Sequence, residues 1–80
     1  MNTKLISSLC MQTLKQMRLD AQMTQSQLAN MLNKPQSFVS KYENGDRSLE
    51  ICEVYFICKE LGKTLHDFEE LLEELIRELT

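Results

Sequence analysis

The chain has two glycines, one proline, one histidine and three cysteines in 80 residues, and each scarcity closes off a class of chemistry. Gly45 and Gly62 stand alone, so no glycine-rich loop is available to cradle a nucleotide phosphate. With Pro35 the only proline, there is no Pro-rich linker, and neither repeats nor low-complexity segments divide the chain. His66 sits beside Asp67 with no Ser or Cys nucleophile locally paired to it, which argues against an enzyme and makes it a surface or capping residue. Cys10, Cys52 and Cys58 are odd in number and lack CxxC spacing. Neither a disulfide framework nor a zinc site is indicated, and all three are expected to be small buried hydrophobes in a reducing cytosol. No metal and no cofactor is expected. No apolar run approaches the roughly 20 residues of a membrane span, and the opening MNTKLISSLCMQTLKQM breaks its apolar residues with polar ones at helical spacing, unlike a signal peptide.

What the chain does have is a lopsided charge. The formal net charge is −3, but residues 1–48 hold six basic residues against three acidic ones, and residues 49–80 hold three against nine. A net +3 half is therefore joined to a net −6 half, so one face can attract a polyanion while the other points away from it. Eighty residues form one domain, 1–80, close to the lower limit at which a single core is stable alone. Association with a second copy would help.

Hydrophobic periodicity predicts five helices and no strand, an all-α fold. The first runs from about Leu5 to Leu19, burying Ile6 or Leu9, Cys10, Leu14 and Met17, and a loop from Asp20 to Met23 follows. Thr24 with Gln27 makes a capping box, so a second helix begins near Gln25. It must stop before Pro35, and the break falls at Asn33 and Lys34, with Pro35 suited to the first turn of the next helix. Asn44-Gly45 ends that third helix. Ser48 is the expected cap of a fourth helix, which buries Ile51, Val54, Tyr55, Cys58 and Leu61 and stops at Gly62. Thr64 with Asp67 opens a fifth helix running to Leu79.

Two short helices so tightly joined, over about residues 24–44, form a helix-turn-helix. At about 100° per residue, Gln36, Ser37, Ser40, Lys41 and Asn44 fall in one arc of the third helix, opposite Pro35, Phe38, Val39 and Tyr42. The polar arc is made of Gln, Ser, Lys and Asn, side chains that can donate to phosphate oxygens and to base edges in a major groove. A merely solvated face would more often be rich in Glu.

From Leu14 to about Leu71 the sequence resembles the phage repressor and Cro type of helix-turn-helix domain, the Xre family. The resemblance rests on Leu14, Met17, Arg18, Met23-Thr24-Gln25, Leu28-Ala29, Leu32, Val39-Ser40, Tyr42-Glu43-Asn44-Gly45 and Leu61-Gly62, in that order and spacing. Gln22 and Asn33 depart from it where the family usually has glycine, and Pro35 where it usually has a capping Ser or Thr. The resemblance implies a compact domain that binds double-stranded DNA. It implies base contacts for Gln36, Ser37 and Lys41, with adenine suiting a bidentate glutamine and Lys41 reaching guanine or else a phosphate. It also implies phosphate contacts for Gln25 and Asn44, with Ser40, Lys34 and Arg47 as further candidates, and a structural ion pair between Arg18 and Glu43. Phe38 lies at the edge of the buried arc, where it can pack on the core or touch a thymine methyl.

The fifth helix, about 64–79, carries a second pattern. Leu65, Phe68, Leu72, Leu75 and Leu79 follow 3-4-3-4 spacing with Leu71 and Ile76 alongside, extending past the usual end of the family domain. A dimer contact through Phe68, Leu72, Leu75, Ile76 and Leu79 is expected, with Phe56 nearby, off the buried stripe of the fourth helix; the alternative is a longer monomer core. The Glu-rich run Glu69, Glu70, Glu73, Glu74, Glu78 reads as the solvated face of the same helix. These features together predict a cytoplasmic, nucleoid-associated transcriptional regulator, a repressor acting as a homodimer at a short palindromic operator. A restriction-modification controller and an antitoxin are alternatives within DNA binding. A protein-interaction module docking a partner through the last helix is the alternative of another class.

Overall fold

The computed structural model describes residues 2–79, which form five α-helices packed around one core with extents of 36 × 24 × 21 Å. They are α1 (Thr3–Asp20), α2 (Gln25–Met31), α3 (Gln36–Glu43), α4 (Ile51–Glu60) and α5 (Leu65–Arg77), with no strand among the described residues. No helix is long and apolar enough to cross a membrane.

Helix starts follow the sequence at Thr24 and Thr64. Thr24 Oγ1 accepts from the Gln27 N–H at 3.0 Å while Gln27 Oε1 accepts from the Thr24 N–H at 2.8 Å, and Thr64 and Asp67 repeat the arrangement at 3.1 and 2.9 Å. The bond from the Thr64 N–H holds the Asp67 carboxyl below its ordinary pKa. Three expected starts move. Helix α1 begins at Thr3 and not near Leu5, capped by Asn2, whose Oδ1 accepts from the Leu5 N–H at 2.7 Å. Pro35 is the cap of α3 and not its first turn, and it makes no side-chain cap bond. Ser48 does not cap α4; the cap is Glu50, whose N–H donates to Glu53 Oε1 at 2.9 Å. Leu49 before the cap and Val54 one turn in both join the core, so a hydrophobic staple sets the entry of the chain two residues later than the serine suggested.

The ends of α1, α2, α3 and α4 share one device. After each cap, two backbone N–H groups reach back to the last turn, as in Gln22 to Leu19 and Met23 to Arg18, or Asn33 to Asn30 and Lys34 to Ala29. The same pair closes α3 at Gly45 and Asp46, and α4 at Gly62 and Lys63. This Schellman closure needs one residue in the left-handed region. Gln22 (φ 58°) and Asn33 (φ 56°) adopt it as Gly45 and Gly62 do, so both turns persist where the family's glycine is missing, at some strain in the case of Gln22.

The core gathers Leu14 and Met17 from α1, Leu28, Ala29 and Leu32 around α2, Val39 and Tyr42 from α3, and Val54, Ile57, Cys58 and Leu61 around α4. Leu9 is buried as well, with Met11 and Thr13, while Ile6 and Cys10 are half-buried; the Thr13 hydroxyl donates to the Leu9 carbonyl at 2.7 Å. On α4 the inward face is 54, 57, 58 and 61. Ile51 (66% exposed) and Tyr55 (48%) were expected inside and are not; Ile51 lies in the first turn, beyond the edge of the core, and Tyr55 is turned about 100° from Val54. Cys52 shares that outer surface and is exposed, against expectation, whereas burial raises the pKa of the Cys10 and Cys58 thiols.

Helix α5 packs along α1 and α4. Leu65, Phe68 and Leu71 lie against the core cluster, and Leu75 borders a cleft with Leu19, Gln12 and Gln16 of α1. The helix ends at Arg77, with Leu79 just beyond it. Part of its apolar stripe thus does extend the monomer core. His66 is exposed and pairs with Glu70 at 2.8 Å.

Candidate DNA-binding face

The polar arc of α3 is where the sequence placed it. Gln36, Ser37, Lys41 and Asn44 are exposed and Ser40 is half-buried, while Val39 and Tyr42 are fully buried behind them. Asn44 caps the helix. Lys34 is exposed in the turn before α3, and Gln25, half-buried, opens α2.

Beneath this face lies a buried ion pair. Arg18 Nε donates to Glu43 Oε2 at 2.8 Å and Nη2 to Oε1 at 3.0 Å, with side-chain exposures of 7% and 2%. A third bond runs from Arg18 Nη1 to the Met23 carbonyl at 2.7 Å, which ties the α1–α2 loop to the same guanidinium. The hydrogen bond to Glu43 raises the Arg18 pKa further, against the effect of burial. The expected pair is present, and it does more than join α1 to α3.

Glu43 Oε1 also accepts from Gln25 Nε2 at 2.9 Å, and Gln25 Oε1 in turn accepts from Gln36 Nε2 at 3.3 Å. A carboxylate only accepts hydrogen bonds, so the Gln25 amide is oriented with nitrogen inward and oxygen towards Gln36. That oxygen then selects the Gln36 nitrogen. What remains outward on Gln36 is its carbonyl oxygen and a second N–H, the acceptor–donor pair that adenine N6 and N7 require. Sequence reasoning identified all four residues but not the chain linking them; a glutamine opening each of the two short helices was the available signal.

The other end of the face is built around Phe38. Its ring is half-buried and meets Tyr42 edge-on, with centroids 5.6 Å apart at 77°, so it packs partly on the core. Lys34 Nζ stands 5.4 Å and Arg47 Cζ 4.7 Å from its centroid, both within cation–π range. Arg47 is not free: Nη2 donates to Glu53 Oε2 at 3.0 Å, and Nη1 to Glu53 Oε1 at 3.3 Å and to the Ser48 carbonyl at 3.0 Å. Glu53 was missed from sequence because it acts from the next helix. Behind the ring, the buried Tyr42 hydroxyl finds no partner among the described residues, and burial raises its pKa well above the usual value.

A buried scaffold that presents a carboxylate-poor polar helix defines a class, and the comparisons agree. The helix-turn-helix family profile, of Cro/C1 type, matches residues 14–68. The chain belongs to this family and is a DNA-binding transcriptional regulator. Among solved structures it is similar to the wild-type restriction-modification controller protein C.Esp1396I, at 29% identity and a TM-score of 0.80, with 95% of each chain covered. A Tyr-to-Phe variant of that controller matches at 32% identity and a TM-score of 0.75, covering 95% of this chain and 96% of that one. Among curated proteins no match was found.

Proposed function

We propose that the chain is a homodimeric regulator of the restriction-modification controller kind, binding a short pseudo-palindrome through α3 of each copy. The observation that carries this reading is the oriented Gln36 amide, held outward through Gln25 by the buried Glu43. Gln36 with Ser37 and Lys41 would read bases, while Lys34, Ser40, Asn44 and Arg47 would meet phosphates, and Gln25, its side-chain nitrogen held by Glu43, would do so through its backbone N–H at the start of α2. The likeness to a controller protein over nearly the whole of both chains supports the specific role. Repression follows if the operator overlaps a promoter.

Dimerisation is supported by uncovered apolar surface. Ile51, Tyr55 and Phe56 on α4 are 48–66% exposed, and Leu79 after α5 is 54% exposed. Leu72 and Ile76 are half-buried beside Leu79 in one arc. These residues, with Phe56, are the better part of the expected contact; Phe68 and Leu75 lean towards the interior of their own chain. A footprint on DNA flanking the chain's own gene tests the proposal. Two symmetric protected patches about one helical turn apart, ~34 Å, are expected. A single half-site at saturating protein would overturn the dimer reading.

A further inference from the structure

Arg47, beside α3, carries its own counter-ion, Glu53. Lys34, Ser37, Phe38, Lys41 and Arg47 border a common open cleft of about 280 Å³ on the DNA-binding face. Three cations line it, two of them over the Phe38 ring, a concentration of charge suited to a backbone phosphate. Glu53 reaches into the group from the first turn of α4 and takes the Nη1–Nη2 end of the guanidinium. Its carboxyl is held below the ordinary carboxylate pKa by hydrogen bonds from Arg47 and the Glu50 backbone, with Lys34 adding to the effect, so it stays charged at neutral pH.

We propose that Glu53 is a counter-ion that Arg47 exchanges for a DNA phosphate, making this arginine contribute to well-docked DNA and little to random DNA. The inference rests on the DNA-facing reading of α3. The pair is partly solvated, at 39% and 27% side-chain exposure. An ion pair so exposed is weak, and a phosphate is a good replacement partner for a guanidinium. The exchange has an electrostatic signature. A phosphate contact normally releases a condensed cation from DNA, which steepens the salt dependence by about 0.9 in log–log slope. Here the freed Glu53 carboxylate takes up a cation as the phosphate releases one, so the net release at Arg47 is close to zero. On random DNA, where the phosphate is not held in register, the exchange brings little gain and Arg47 stays paired with Glu53. The molecule thereby limits non-specific attraction on its basic half.

Glu53→Gln removes the charge and keeps a side-chain oxygen for the Glu50 N–H, so the start of α4 is preserved. The experiment titrates full-length wild type, Glu53→Gln, Arg47→Ala and the double variant against a random-sequence duplex and the footprinted operator across a salt series. Glu53→Gln should bind the random duplex about 3- to 10-fold tighter near 0.1 M salt, with a slope steeper by about 0.9. It should also show a lower operator-to-random affinity ratio. In the double variant the gain should vanish. A weaker Glu53→Gln would show that Glu53 positions Arg47 and would overturn the proposal. So would unchanged binding, or a gain that survives Arg47→Ala and therefore comes from net charge alone. If wild type binds neither duplex at low salt, the DNA-facing reading falls together with this one.

Discussion

At the front of α3, outward polar groups are tied back to the interior, Gln36 to Gln25, Gln25 to Glu43 and Glu43 to Arg18. Along α4 and past the end of α5, by contrast, Ile51, Tyr55, Phe56 and Leu79 expose large apolar side chains. The first region is finished within one chain. The second has large apolar side chains left uncovered by the chain itself, surface available for contact with another molecule. Under the proposed function, the difference separates two jobs in 80 residues, orientation on one side and assembly on the other.

The largest expected effect attacks the uncovered side. Phe56→Glu places a charge in the proposed seam while leaving the core untouched, since Phe56 is 48% exposed. Joining two half-sites makes the second contact effectively intramolecular, worth roughly 10²–10⁴ in avidity. The variant should sediment as a monomer with wild-type helical content and lose about that factor in operator affinity. If it still sediments as wild type does, the two copies meet elsewhere.

On the finished side, Arg18→Ala leaves the Glu43 carboxylate buried without its partner, a change of ~3–5 kcal/mol for pairs of this kind. Thermal unfolding should show that loss, and Gln25 should lose its fixed orientation. A small effect would mean the network is ornamental to the fold. The smallest effect lies in the turns that both regions share. Gln22→Gly removes left-handed strain from an exposed residue and should stabilise by ~1 kcal/mol, whereas Asn33→Gly should gain less because asparagine tolerates that conformation. For a domain of this size the first gain is a rise of about 4–8 °C in Tm.

Those two turns also show how far the sequence could be read. The helix count, both hydroxyl capping boxes and the outward arc of α3 follow from local rules acting within a turn or two and were legible, whereas the Arg18–Glu43 pair, 25 residues apart, was legible only through the family resemblance. Failures came where a distant contact overrode a local preference. Ser48 is a better cap than Glu50 in isolation, yet Leu49 is drawn to the core and the helix starts later. Ile51 and Tyr55 are apolar and at plausible spacing, but the face of α4 is set by Val54, Ile57, Cys58 and Leu61, which meet the other helices. The same holds for the site. Gln25 reads as a helix-start residue until α3 folds beside it and brings Glu43 within 2.9 Å.

The central claim is that the fold aims one amide at one base. Equilibrium titration of Gln36→Ala against operator and random duplexes, at the same salt, tests it most directly. The account predicts a loss of ~1–3 kcal/mol on the operator, roughly 5- to 150-fold, with little change on random DNA and an unchanged Tm. Equal losses on both duplexes would contradict it, and would reassign Gln36 from reading a base to holding the backbone.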